Sequence, residues 1–191
     1  TTLCGAASLN NERSAHSLPY FSVDVHPRKF ALRDKVRIPT LGDQYVRVLD
    51  RCELKVHYEL GRLFFWYFDH EFPIAPCTYL HVLEIALDQL RDHKEEEFYA
   101  DLQSILTALE YLPRRTETNP ERIAERTREK EIIKRRLERR GQEAPLVQEA
   151  IEKALTIIHG TPGDPRSFDA LDALLGEQAY RLAFWRVAAE G

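Results

Sequence analysis

Seven histidines, three cysteines and 31 carboxylates are enough residues for metal binding, nucleophilic attack or acid–base chemistry. Their spacing realises little of it. No His-x-x-x-His or His-Glu-x-x-His run occurs, so no helix presents two imidazoles to one zinc ion. Asp69-His70 sets an acid beside an imidazole, but neighbours on a strand point to opposite faces. Cys4, Cys52 and Cys77 are an odd number at wide spacing, which reads as reduced thiols rather than a disulfide framework or zinc site. No Gly-x-Ser-x-Gly elbow is present. Gly160-Thr161-Pro162-Gly163-Asp164-Pro165 superficially resembles a phosphate loop. It lacks the Lys-Ser/Thr ending, and its prolines remove amides that would cradle phosphate, so it reads as a turn. Neither a metal nor a cofactor is implied.

Charge is the next candidate. From Arg114 to Arg140 the sequence holds eleven Lys or Arg and six Glu, a local +5, leaving 16 cations against 25 carboxylates, or −9, elsewhere. A basic helix on an acidic body is one way to grip nucleic acid. No aromatic interleaves these charges to stack bases. Glu131–Arg135 and Lys134–Glu138 stand at i,i+4, which favours a solvated helix laced with its own ion pairs. Nucleic acid is therefore not the favoured partner.

These residues must be positioned by a fold that composition already limits. The apolar share is 43% and the charged share 30%, against a usual ~45–50% and ~25%. That suits a helix-rich soluble domain with charged faces and excludes disorder. No apolar run approaches the roughly 18 residues of a membrane span, and no secretory signal is seen. A cytoplasmic location is expected.

Residues 1–20 read as loop or poorly ordered. Residues 21–77 read as a β-rich part and 78–191 as a helical part. Phe21–Val25 alternates apolar and polar and stops at His26-Pro27. Gln44–Leu49, Glu53–Glu59 and Arg62–Phe68 predict an antiparallel meander over about residues 44–68, with tight connections at Asp50-Arg51-Cys52 and Leu60-Gly61. Leu54, Val56 and Tyr58 face one side; Lys55, His57 and Glu59 face the other. The third run is apolar on both faces, so it is covered twice or presents Trp66, Tyr67 and Phe68 as a binding surface.

After Pro76 the period becomes helical, and four to five helices are expected. They span about Thr78–Arg91, Glu95–Leu112, an Asn119-Pro120 start closing near Gly141, and Pro145 to His159 with Gly160 as the stop. The last runs from Pro165 to about Ala189. That helix is apolar all round, with Gln178 inside its main stripe, and reads as having lost a neighbour. Gln178 needs buried partners. The fold class is α+β. With no methionine, Thr1 to Gly191 is read as a piece of a longer enzyme.

Several stretches together resemble one family. They are Leu41-Gly42-Asp43-Gln44-Tyr45, Phe68-Asp69-His70-Glu71-Phe72-Pro73 and Leu106–Pro113. The most specific block is Ile158–Asp169, continuing through Leu174–Ala189. All are similar to maltooligosyl trehalose synthase of the α-amylase superfamily, over roughly Tyr20 to Glu190. Glycines expected near Val46 and Cys52, and an Asp and a Trp around Ser22 and Val25, are departures. The resemblance implies an isomerase of trehalose biosynthesis acting on maltooligosaccharide. It moves the reducing-end glucose from an α-1,4 to an α,α-1,1 link by retaining chemistry on two carboxylates. The Arg-x-Asp and Asp-x-x-x-Asn-His motifs of its catalytic barrel do not occur here. The chain is thus expected to be a non-catalytic insertion domain whose main partner is that barrel. No residue is carried over as catalytic. Tyr180, Arg181, Trp185 and Arg186 match the block leading into a sugar-binding strand and are the candidate substrate contacts.

Overall fold

A computed structural model describes residues 22–23 and 35–188. The expectations for residues 1–20 and for the rest of the Phe21–Val25 run lie outside the described residues. The class is α+β. Strand β1 (Ser22–Val23) pairs antiparallel with β2 (Val36–Leu41). A short helix α1 (Tyr45–Asp50) follows, then a meander of β3 (Leu54–Glu59), β4 (Arg62–Tyr67) and β5 (His70–Pro73). Helices α2 (Leu80–Gln89), α3 (Glu97–Glu110), α4 (Pro120–Glu143), α5 (Pro145–His159) and α6 (Asp169–Gly176) come next, and β6 (Tyr180–Phe184) returns to pair in parallel with β2.

The meander holds with its first strand replaced. Gln44–Leu49 does not form a strand: Tyr45–Asp50 is helical. Asp43 Oδ1 accepts from the Gln44 amide at 2.7 Å, and the Gln44 carbonyl receives Arg47 and Val48 amides at 2.9 and 3.1 Å. This turn buries adjacent Val48 and Leu49 and leaves Val46 exposed, a pattern that alternation cannot produce. Burial overrides the β preference of Val and Tyr. The third strand is β5, which pairs Phe65 with Phe72.

The β3–β4 hairpin is as expected, with Leu54, Val56, Leu63, Phe65 and Tyr67 in the core. Its turn residues Leu60 and Gly61 have φ of 49° and 72°. Both being positive is what a type I′ two-residue turn requires. The tip lies against α4: a Cβ on Gly61 would sit 2.0 Å from the Lys134 carbonyl oxygen.

Helix α2 packs on α5 and α3, while α5 also meets β3 and α4. Ile133 and Leu137 are the fully buried side chains of the 24-residue α4. At ~2 kcal/mol for each buried aliphatic side chain, a thin stripe holds a long helix. Asn119 caps α4, its Oδ1 accepting from the Glu121 amide at 2.9 Å. Gly141 does not end α4, which continues to Glu143. Glycine allows a close approach there, since a Cβ would lie 3.2 Å from both Tyr58 Oη and Gln148 Oε1. Helix α5 ends at Gly160, whose φ is 72°.

The long final helix is also corrected. Helix α6 stops at Gly176, and Tyr180–Phe184 is a strand. Its all-round greasiness on a helical wheel is the two faces of a strand, an ambiguity short apolar runs always carry. Tyr180–Phe184 has β2 as its neighbour, so its apolar faces do not imply a lost helix partner. Gln178 lies at the crossing between α6 and β6, 1% exposed. Its amide donates to Thr78 Oγ1 at 3.2 Å and to the Leu174 carbonyl at 2.6 Å, and its Oε1 accepts from the Ala75 amide at 2.8 Å.

Candidate functional site

The four candidate substrate contacts follow the strand. Register aligns Val36 with Tyr180, Arg37 with Arg181 and Ile38 with Leu182, and the Val36 amide donates to the Ala179 carbonyl at 3.0 Å. Tyr180 turns toward β5: its hydroxyl donates to the Pro73 carbonyl at 3.0 Å and its ring lies 6.0 Å from that of Phe72. Burial pushes its phenol above the ordinary range. Arg181 lines a depression with Lys35 and Asp172. Trp185 is half exposed, and the Arg186 guanidinium sits 5.4 Å from its ring centre and 5.8 Å from that of Phe184. Trp185 and Arg186 thus come together as a cation–π pair. Tyr180 is engaged in packing.

Two neighbouring depressions meet at Tyr45 and Asp172, which the sequence did not single out. The Tyr45 hydroxyl donates to Asp172 Oδ1 at 2.8 Å, joining α1 to α6. A depression of about 420 Å³ lies on one side, lined by Leu49, Asp50, Phe168 and Asp169. Another of about 270 Å³ lies on the other, lined by Lys35, Leu175, Arg181 and Leu182. Lys35 is 6% exposed, and its ammonium donates to the Gly176 carbonyl. Burial first, and the nearby Arg115 and Arg181 charges, hold its pKa below the ordinary value, with Glu177 opposing. Burial and the Asp172 carboxylate raise the Tyr45 phenol above its range. A phenol that keeps its proton can hold a ligand by hydrogen bonding but is a poor base. Apolar walls with a few convergent polar groups are the general make-up of a ligand pocket. Tyr45 and Asp172 are 127 residues apart, so no local signal announces their meeting.

The Trp66-Tyr67-Phe68 platform is divided. Tyr67 is buried and its hydroxyl accepts from the Gly42 amide at 2.8 Å. Trp66 and Phe68 are 43% and 65% exposed, and the Trp66 indole donates to the Phe68 carbonyl. His57 joins their face, 5.3 Å from Trp66 and 5.8 Å from Phe64 between ring centres. His70 lies 3.6 Å from Asp69 in an exposed pair. Among the described residues no group of three or more His, Cys, Asp or Glu side chains could hold a metal ion. Gly160–Pro165 is a turn, its Gly163 amide donating to Asp50 Oδ1 at 3.3 Å. On α4, Glu131 pairs with Lys134 at 3.0 Å rather than with Arg135. Among the described residues no helix is long and apolar enough to cross a membrane.

Comparison of the chain with protein-family models, with curated proteins and with solved structures yields no match.

Proposed function

We propose that this chain is the insertion domain of a maltooligosyl trehalose synthase, and that the catalytic carboxylates lie on a barrel outside it. The parallel pairing of β2 with β6 carries the reading. These strands bracket residues 42–179 and run side by side in one direction. Entry and exit strands that are co-directional neighbours fit an insertion in a parallel (β/α)8 barrel, whereas the antiparallel β1 on the other edge of β2 is not part of that pattern. The sheet order β1-β2-β6 leaves the outer edge of β6 without a strand among the described residues, where a further barrel strand would pair. The resemblance of the blocks Ile158–Asp169 and Leu174–Ala189 to that family supports the reading. The free thiols Cys52 and Cys77 fit a cytoplasmic enzyme.

In this reading the parent binds maltooligosaccharide and isomerises its reducing end, while α1, α6 and β6 fix the insert to the barrel. Determining the reading frame on both sides tests it. An Arg-x-Asp-bearing strand soon after Gly191, with conversion of maltopentaose to a trehalose-ended product by the whole enzyme, supports it. A flanking frame without that motif overturns it. Formation of the product by the pure chain overturns the non-catalytic assignment.

A second reading, maltodextrin affinity of the chain itself, rests on the exposed pair Trp66 and Phe68. Titration with maltopentaose should shift the Trp66 indole resonance; silence at millimolar sugar removes it.

A further inference from the structure

We propose that Arg135, Arg136 and Arg139 form a binding site for a small, multiply charged phosphoryl anion, independent of any role in sugar chemistry. With Ile132 they line one depression of about 480 Å³ on the outer face of α4. Positions 132, 135, 136 and 139 follow the i, i+3, i+4, i+7 spacing that places side chains on one helix face.

Two of the carboxylates nearest this cluster along α4 are engaged elsewhere, and Glu138, three residues on from Arg135, is the other one beside it. Glu131 pairs with Lys134 at 3.0 Å and Glu129 with Arg128 at 3.0 Å. Glu143 lies 3.3 Å from Arg140 and only 4.0 Å from Arg139. Arg140 is held further by Glu97, at 3.1 Å, and by Asp101. Arg136 donates to the Ser104 hydroxyl at 3.0 Å and Arg135 to the Glu131 carbonyl at 3.3 Å, both neutral acceptors. Three guanidinium groups therefore share one depression with Glu143 at the limit of pairing distance, 4.0 Å from Arg139, and with Glu138 as the one further carboxylate beside them, which leaves an excess of positive charge.

Arg135 and Arg139 also stand at i,i+4, where like charges destabilise a helix. The helix dipole does not explain them. Its effect falls off within the last turn, which Arg140 already occupies, and Arg135 and Arg136 lie further back. An anion in the depression relieves that repulsion. The planar forks of arginine match the oxygens of a phosphoryl group two at a time. A small anion fits better than a nucleic-acid strand, because the face carries no aromatic for bases.

The test is calorimetric titration of the chain with inorganic pyrophosphate against sodium chloride at matched ionic strength. Saturable one-site binding is expected, with selective shifts of the Arg135, Arg136 and Arg139 Nε resonances in the unmodified protein. The R135A/R136A variant should bind at least tenfold more weakly. The triple lysine variant keeps the charge but not the forks, and should bind at least threefold more weakly. No saturation at millimolar pyrophosphate, equal binding by R135A/R136A, or shifts confined to other arginines overturns the proposal. So does binding of a labelled duplex without any response to pyrophosphate.

Discussion

His159, the last residue of α5, places Nε2 2.9 Å from both the amide nitrogen and the carbonyl oxygen of Val56. One neutral ring nitrogen either accepts from the amide or donates to the carbonyl, so the contacts are alternatives of two tautomers. Either caps the outer edge of β3, where backbone groups would otherwise lack partners.

That contact makes stability depend on pH. Burial, then the neighbouring His57 and Lys55, hold the His159 pKa below its ordinary value, with the Val56 carbonyl opposing. The folded state therefore takes up a proton less readily than the unfolded chain. Stability from neutral His159 is complete above the unfolded value of about 6.5 and is lost as pH falls from there toward the folded pKa. Urea midpoints should fall between pH 7.5 and pH 5.5, and His159→Gln should remove part of that slope. An unchanged slope in the variant contradicts the assignment.

Gly61 tests the hairpin's seat on α4. Alanine there faces positive φ and a Cβ 2.0 Å from the Lys134 carbonyl oxygen, both backbone features that cannot step aside. Gly61→Ala should destabilise by roughly 2–5 kcal/mol, combining left-handed strain with overpacking. A variant within about 0.5 kcal/mol of the parent, inside the range of ordinary surface substitutions, would mean that the tip does not seat there.

Much of this fold is legible in the sequence where local chemistry and burial agree. The hairpin shows in the alternation of Leu54, Val56 and Tyr58 and in Gly61 between its strands. Asn119-Pro120 announces α4, while Pro145 and Gly160 bracket α5. Tyr45–Asp50 and Tyr180–Phe184 are not legible. Each is a short apolar run that satisfies period 2 and period 3.6 alike, and each is decided by distant partners. The candidate site suffers from the same cause. Of the quartet Tyr180, Arg181, Trp185 and Arg186, the strand sends Tyr180 to Pro73 and Arg181 to the depression with Lys35, keeping only Trp185 and Arg186 together.

Gln178 measures how firmly β6 is tied to the meander. Gln178→Leu keeps the volume but removes the partners of the Ala75 amide and the Leu174 carbonyl. Each buried group left unsatisfied costs about 1–3 kcal/mol, so a loss of about 2–4 kcal/mol is expected after the apolar gain. Amide exchange at Ala75 should accelerate along with it. A stable variant with a protected Ala75 amide would show that another group or water replaces the side chain.

Gly141 and Tyr58 should couple, with a reversal of sign. Alanine in a helix interior is worth about 1 kcal/mol over glycine. At Gly141 its Cβ meets Tyr58 Oη and Gln148 Oε1, each at 3.2 Å; the Gln148 amide is the far end of a flexible side chain and can move away, whereas the Tyr58 hydroxyl donates to the Leu137 carbonyl at 3.0 Å. The ring cannot yield without losing the bond, itself worth about 1 kcal/mol. Gly141→Ala should therefore be neutral or destabilising by up to about 1 kcal/mol in the parent. In Tyr58→Phe the hydroxyl is gone, and the same change should stabilise by roughly 0.5–1 kcal/mol. A double-mutant cycle of denaturation free energies reads the difference directly. Equal effects in both backgrounds would mean that Gly141 is tolerated within α4 for some reason other than the approach of Tyr58.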